Sequence, residues 1–428
     1  MTKNILSLYD KFSTSSGVCI DTRAIKQDNI FFALKGPNFD GNKYASQAVE
    51  SGAVYAVVDD PSLKGVNKCI LVENVLSTLQ SLANHHRNQF NGPVLAITGS
   101  NGKTTTKELI TRVLSTSFKT HSTVGNLNNH IGVPLTLLAL KLDTDIAVIE
   151  MGANHLGEIA SYCQITCPTH GLITNLGTAH IGEFGGRENL IRAKSELFDY
   201  VKKNNGTVFI NEQDEVLLNM SKRFETSMFF PGNSIRLKGS SPYMTYIDEN
   251  DANHSTSLIG EYNFLNASSA YVIGKHFEVP IEKITAAIDS YQSDNNRSQI
   301  VKIGSNTIIL DAYNANPDST IAALNNLVAF KESSKVAMLG DMKELGEYSR
   351  QEHSKVYDHA MSLGIKNIHF VGKEYSKALE KTDASVYDDV LSLIRYLKNN
   401  PISDSVVLIK GSRSMTMEQL SKHEEIWI

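Results

Sequence analysis

Four cysteines in 428 residues are too few for a disulfide framework, and only Cys163 and Cys167 lie close together. Their C-x₃-C spacing has no second pair to complete a zinc site, so Cys19, Cys69, Cys163 and Cys167 read as buried free thiols in a reducing compartment. No uninterrupted apolar run reaches the roughly 18 residues of a spanning helix, which argues against a membrane protein. The opening MTKNILSLYDKF has neither a sustained apolar core nor a cleavage pattern, so the expected location is the cytoplasm. There is no basic tail or stripe, and a net charge of −5 argues against a nucleic-acid partner. Internal repeats and low-complexity segments are absent too. The adjacent His85 and His86 read as a polar helix face.

What is present is alternation. Short β-rich runs such as AVYAVVDD, VLAITG, IAVIEMG, HGLITNLG, TVFIN, TIILDAYN, KVAMLGD, NIHFVG and SVVLIKG alternate with helical patterns along nearly the whole chain. Strands alternating with helices predict an α/β protein with mainly parallel sheets. Several runs end in Gly, Asp or Asn, and ligands of open α/β sheets gather at the carboxyl ends of strands. The length suggests two or three domains. The turn Asn91-Gly92-Pro93 and the polar stretch Ser293-Asp294-Asn295-Asn296-Arg297 divide the chain into 1–92, 93–294 and 295–428. The polar region from Ser221 to Ser257 shows only weak short strands and is left unplaced.

The strongest single motif follows the apolar stretch Val94-Leu95-Ala96-Ile97. There the chain reads Thr98-Gly99-Ser100-Asn101-Gly102-Lys103-Thr104-Thr105 and then turns into the helical pattern KELITRVLSTSF. Such a loop turns backbone N–H groups inward, offers a helix N-terminus, and supplies a lysine for terminal phosphates and a hydroxyl for Mg²⁺. ATP is therefore the expected cofactor, bound by Thr98 to Thr105. The usual pattern has a glycine where this chain has Ile97, which leaves a shortened G-x-x-G-K-T loop. Glu150 ends the strand Ile146-Ala147-Val148-Ile149, where a nucleotide site needs a carboxylate for Mg²⁺; the plainer reading is a helix cap. His180 stands just beyond another strand, and a lone histidine there is as readily structural. Lys194, within a helical pattern, reads by itself as a solvated surface lysine.

Taken together, these segments resemble the Mur ligases, ATP-dependent amide-forming enzymes of peptidoglycan precursor synthesis. TGSNGKTTTK, EMGANHLGEI, NLGTAHIGEFG with the downstream AKSEL, GEYNFLNASSA and LDAYNANP stand in the family's order and approximate spacing, over almost the whole chain. The resemblance implies three domains: an N-terminal domain for the UDP substrate, a central P-loop ATPase domain with a mainly parallel sheet, and a C-terminal Rossmann-like domain. It implies that Lys103 and Thr104 bind the ATP phosphates and Mg²⁺. Glu150 and His180 would serve a second metal region shared with the acyl carboxylate. Lys194 matches the family's carbamylated lysine, a CO₂ adduct that turns a cation into an anion for Mg²⁺. Asn266 would contact adenine, and Arg297 and Asp311 would contact phosphate and ribose, with Tyr313, Asn314 and Asn316 nearby. Thr22, Arg23 and Gly36 match segments that hold the UDP part, and Asn128 is counted as a substrate contact. Where the family usually has DGH, this chain reads Asp40-Gly41-Asn42.

LDAYNANP, LGDMKELGE and IKGSRSMTME point to the member that adds D-Ala-D-Ala to UDP-MurNAc-tripeptide, with Ser412 and Arg413 orienting the dipeptide; Arg413 reads equally as a structural ion-pair partner. The rivals are a ligase adding the third residue or a folylpolyglutamate synthase. Outside the family they are a nucleotide-binding switch or a P-loop kinase. The ligase chemistry implies an acyl phosphate that must be kept from water, hence a closing third domain and a hinge near residues 293 to 297. The partners expected are small molecules only, and a monomer suffices. Whether the third residue of the peptide is meso-diaminopimelate or lysine stays open.

Overall fold

The computed structural model describes residues 2–177, 181–331 and 334–428. All nine β-rich runs form strands, because each is a continuous apolar run that a sheet covered on both faces can bury. The central sheet is six-stranded and parallel, in the order Ser227–Phe230, Thr207–Asn211, His170–Ile173, Val94–Thr98, Ile146–Glu150, Thr120–Ser122. Every residue of Val94–Thr98 is buried. Register pairs Ile97 with Glu150 and Thr98 with Ile173, so three strand ends meet at one edge. Ile97 is thus the last core residue of its strand and packs with Leu109 and Ile110 of the following helix, Lys103–Leu114. The phosphate loop is short because the strand runs further before it breaks.

A second six-stranded sheet near the C-terminus has the order Gln299–Ile303, Asn306–Asp311, Val406–Lys410, Lys335–Gly340, Asn367–Val371, Ser385–Tyr387. Only its first pair is antiparallel. Its register sets Asp311 beside Lys410, again at carboxyl ends. The unplaced region between the two large sheets contains a three-stranded antiparallel sheet, Ile235–Ser240, Tyr243–Asp248 and Asn253–Ile259. Its middle strand alternates, with Met244, Tyr246 and Asp248 buried. The sequence does not show this alternation, because the buried face includes Asp248 and the outer face includes Ile247.

The N-terminal sheet is four-stranded, in the order Val18–Cys19, Ile30–Phe32, Tyr55–Val58, Cys69–Leu71. It shares one apolar cluster with the central sheet, running from Phe32 and Val57 through Leu79 and Leu82 to Ala96 and Ile149. The helix Val75–Arg87 is the bridge. At its end Arg87 is buried and donates to the carbonyls of Thr166 (2.7 Å), Phe90 (2.7 Å) and Cys167 (3.0 Å). Arg87→Met keeps the apolar stem but leaves these buried acceptors unpaired, at about 1–3 kcal/mol for each unsatisfied group. Its melting midpoint by calorimetry should fall by several degrees, and an unchanged midpoint would mean that the cap does not matter.

Two expectations are corrected here. His86 is no polar face: it is buried, with Nε2 2.7 Å from Leu140 O and Nδ1 3.1 Å from the Tyr9 hydroxyl. All four cysteines are free, but only Cys19 and Cys163 are buried, while Cys69 and Cys167 are partly exposed. Among the described residues, no helix is long and apolar enough to cross a membrane.

Candidate active site

The strand ends of the two large sheets face one cavity of about 1110 Å³. On the central side it is entered by the P-loop. Gly99 (φ 142°) and Gly102 (φ 79°) take backbone conformations that L side chains rarely adopt, and a Cβ on Gly102 would stand 2.6 Å from Asn266 Oδ1. The loop is clamped from the next strand. Asn175 Nδ2 and Thr174 Oγ1 donate to Asn101 O at 3.0 and 2.7 Å, and Asn101 N donates to Asn175 Oδ1 at 3.0 Å. The hydroxyls of Thr98 and Ser100 are buried without partners. Lys103 Nζ donates to Gly99 O and Ser100 O at 2.8 and 3.1 Å. Desolvation in the cavity lowers its pKa; Glu150 opposes that shift and the charge of Arg297 adds to it.

Glu150 is fully buried at its strand end. One carboxylate oxygen accepts from Asn128 Nδ2 (2.7 Å) and Thr104 Oγ1 (3.2 Å), while the other has no partner. The helix-cap reading therefore falls. An orphaned buried carboxylate oxygen beside a threonine hydroxyl is a hard-oxygen donor set of the kind Mg²⁺ takes, with waters and phosphates completing its shell. Asn128 lines the cavity, with its amide committed to Glu150.

Lys194 is the other departure from a local reading. It lies on the helix Arg187–Lys203 among the buried Leu190, Ala193, Leu197 and Phe198, and is 1% exposed. Among the described residues its ammonium reaches Ala153 O, at 3.2 Å, and sits 5.2 Å from the centre of the Phe184 ring. Burial, with the nearby charge of Lys103, lowers its pKa to about 7, against the pull of Glu158 and Glu196. Two residues on, Glu196 accepts from the N–H groups of Gly157 (2.7 Å) and Ala160 (2.9 Å). The same helix therefore grips the loop after Glu150 at Ala153 and Gly157, and the first turn of the helix that follows at Ala160. His180 lies outside the described residues.

The side of the C-terminal six-stranded sheet brings together Arg297, Asp311, Tyr313, Asn314, Asn316, Ser412 and Arg413. Arg297 stacks on Tyr313, its guanidinium carbon 3.7 Å from the ring centre, and its Nε is buried without a partner. Asp311 accepts from Ser298 N (3.0 Å) and from the buried Lys410 (2.6 Å). Asn316 caps the helix Pro317–Ala329 and reaches across to Asn101 Oδ1 at 2.7 Å. Arg413 pairs with Glu418 at 3.2 Å, as its structural reading expected, and still lines the cavity. Ser412 Oγ accepts from Lys343 N at 2.8 Å. Asn266 holds Thr106 Oγ1 (3.0 Å) and Asn263 Oδ1 (2.9 Å) behind the P-loop.

Thr22, Arg23 and Gly36 are not among the residues lining this cavity. Arg23 is exposed and paired with Asp21 at 2.6 Å, and Gly36 is exposed in a short hairpin. Asn42 is a buried pin, donating to Asp40 and Asp59 at 2.9 Å each. Sequence reasoning missed the clamp residues Thr174 and Asn175, and also Lys343 and Lys410. Three of these four stand at or just beyond strand ends, where the general rule already pointed.

Three family models match in succession: the Mur ligase family, catalytic domain over residues 14–97, the Mur ligase middle domain over 97–274, and the Mur ligase, glutamate ligase domain over 296–413. The UDP-N-acetylmuramoyl-tripeptide–D-alanyl-D-alanine ligase of Bacillus subtilis (strain 168) is 33% identical, over 95% of this chain and 92% of its own. A crystal structure of MurF from Acinetobacter baumannii matches with a TM-score of 0.85 at 31% identity, over 95% and 93% of the two chains. The MurF ligase of Thermotoga maritima in complex with ADP matches with a TM-score of 0.85 at 25% identity, over 97% and 98%.

Proposed function

The chain belongs to the Mur ligase family, and from that premise we propose that it joins D-alanyl-D-alanine to UDP-N-acetylmuramoyl-tripeptide in an ATP-dependent amide synthesis. The observation that carries the reading is the single cavity in which Lys103, Thr104 and the half-satisfied Glu150 face Arg297 and Asp311. Its relatives' names and their agreement over almost the full length support this substrate pair above other members of the family. The ADP complex of the Thermotoga maritima relative supports ATP as the phosphoryl donor. The division at 1–92, 93–294 and 295–428, with a hinge near residues 293 to 297, belongs to the same proposal.

The chemistry follows from what each residue can do. A carboxylate oxygen is a poor leaving group, so the tripeptide carboxylate takes the γ-phosphoryl of ATP and becomes an acyl phosphate. Lys103 is placed to neutralise charge on the transferring group, and the loop N–H groups to orient it. Thr104 and Glu150 would hold Mg²⁺, which when bound shields the phosphate oxygens. The dipeptide amine then attacks the acyl carbon and phosphate leaves, with Ser412 and Arg413 proposed to orient the dipeptide. Arg297 and Asp311 hold the nucleotide from the far wall, and closing that wall excludes water.

Lys194 is proposed to act as its carbamate. The neutral amine attacks CO₂, an N–C bond forms, one proton goes to solvent and an anion results. A buried amine whose pKa is near 7 is largely neutral in mildly alkaline solution, which is the form this step needs. Phosphate release tests the whole reading. It should require UDP-MurNAc-tripeptide and D-Ala-D-Ala together, rising at least about tenfold over ATP alone. Release indifferent to both substrates would end the ligase assignment.

A further inference from the structure

The chain passes from the P-loop unit to the C-terminal six-stranded sheet between Tyr291 and Gln299, and a carboxylate of the P-loop helix grips the crossing. Glu108 lies on the helix that starts at Lys103. Tyr291 donates its hydroxyl to Glu108 Oε2 at 2.6 Å, and Asn295 Nδ2 donates to both carboxylate oxygens, at 2.9 and 3.0 Å. Beyond this grip, Asn296 (φ 58°) and Ser298 (φ 51°) take left-handed backbone conformations on either side of Arg297. Conformations of that kind persist in non-glycine residues only where the surroundings over-determine them. The surroundings do so here. Ser293 Oγ donates to Arg297 O at 2.7 Å, Tyr313 N donates to Asn296 O at 3.2 Å, and Ser298 N donates to Asp311 at 3.0 Å.

We propose that Glu108 is a positioning residue for the ligation: by holding Asn295 and Tyr291 it fixes where Arg297 stands relative to Lys103. It does not line the cavity, so it acts through the crossing and not on a substrate. Lys103 and Thr104 begin the helix that carries Glu108, and Arg297 follows Asn295 by two residues. A shift of the P-loop helix is therefore passed toward the arginine through this carboxylate, beside the separate links of Asn316 to Asn101 and Arg112 to Ser290. Lys107, 3.8 Å away, is the nearest cation, but it donates to Thr123 O at 2.8 Å and leaves the carboxylate to the crossing. The inference rests on reading Arg297 as a nucleotide contact.

The test measures ADP affinity by calorimetry and steady-state constants on the full chain. Glu108→Ala should weaken ADP about tenfold and raise KM for ATP alongside, with kcat lower by about 10–100-fold and KM for the UDP-tripeptide within twofold. Asn295→Asp, which sets two carboxylates together, should be at least as damaging. Combining Glu108→Gln with Asn295→Asp exchanges donor and acceptor and should restore ADP affinity to within about threefold. ADP affinity within twofold of wild type in Glu108→Ala, whatever its melting temperature, would overturn the proposal. So would a double exchange no better than Asn295→Asp alone. Arg297→Ala separates the two failures. Unchanged ADP affinity there removes the nucleotide contact itself, whereas a loss there beside a neutral Glu108→Ala removes only the positioning role.

Discussion

Lys194→Ala should lower turnover by about 10²–10³-fold, the scale at which removing one preorganised charge partner slows an enzyme. The side chain is too deeply buried to serve as a solubilising cation, and among the described residues its hydrogen-bond partner is the Ala153 carbonyl. An ammonium in that position is poorly solvated, which is why burial brings its pKa to about 7. Deletion also leaves a cavity on the apolar face of its helix, so Lys194→Met, which fills the space without the amine, is the control for packing. Both variants should be slow and only the alanine variant should recover in part when a short-chain carboxylic acid is added, because only there is room for a carboxylate near the carbamate position. The pH dependence has a definite sign. Carbamate forms from the neutral amine, so stimulation of the wild-type enzyme by bicarbonate should be largest above pH 7 and shrink as pH falls through it. Wild-type turnover in Lys194→Ala, or equal rescue of both variants, would remove the carbamate from the mechanism.

The same lysine marks where the sequence could be read and where it could not. Leu190, Ala193, Lys194, Leu197, Phe198 and Val201 form the buried stripe of one helix. A lysine inside a helical apolar stripe is a visible anomaly, but only once the stripe itself is traced; judged by residue type, Lys194 looks like surface. Strands were legible because buried parallel strands are continuous apolar runs, and one such end located Glu150 without any tertiary knowledge, whereas Asp311 came from the family resemblance. The antiparallel sheet after Phe230 was hidden because its half-exposed strands mix polar residues with apolar ones. Contacts between distant segments left no local trace at all. Asn175 on the P-loop, Lys410 on Asp311 and Asn316 on Asn101 each need two strand ends to be brought side by side. Nor could Asn42, standing where a histidine is usual, be recognised as a pin for Asp59 until Asp59 lay beside it.

Glu150→Gln should cost about 10²–10³-fold in kcat while leaving the nucleotide-free protein no less stable. The wild-type carboxylate is buried with one oxygen satisfied by Asn128 and Thr104 and the other unpartnered, an arrangement that folding alone does not favour. Glutamine keeps the shape and an oxygen acceptor for Asn128, yet removes the buried charge. Stability and activity should therefore move apart: the melting temperature of the free protein holds or rises, and the additional stabilisation by Mg²⁺ with ATP falls away. Ligand that binds only the native state raises the melting point through its occupancy, so weaker coordination shows directly in that shift. Thr104→Val, which loses the hydroxyl and keeps the volume, should move the ligand-dependent shift in the same direction. A Glu150→Gln protein that melts well below wild type without ligand, and whose stabilisation by Mg²⁺ and ATP is intact, would make this carboxylate a structural buttress. Ser100 Oγ and Arg297 Nε are orphaned around the same cavity, so the unpartnered carboxylate oxygen belongs to a set of polar atoms gathered where a phosphoryl group has to pass.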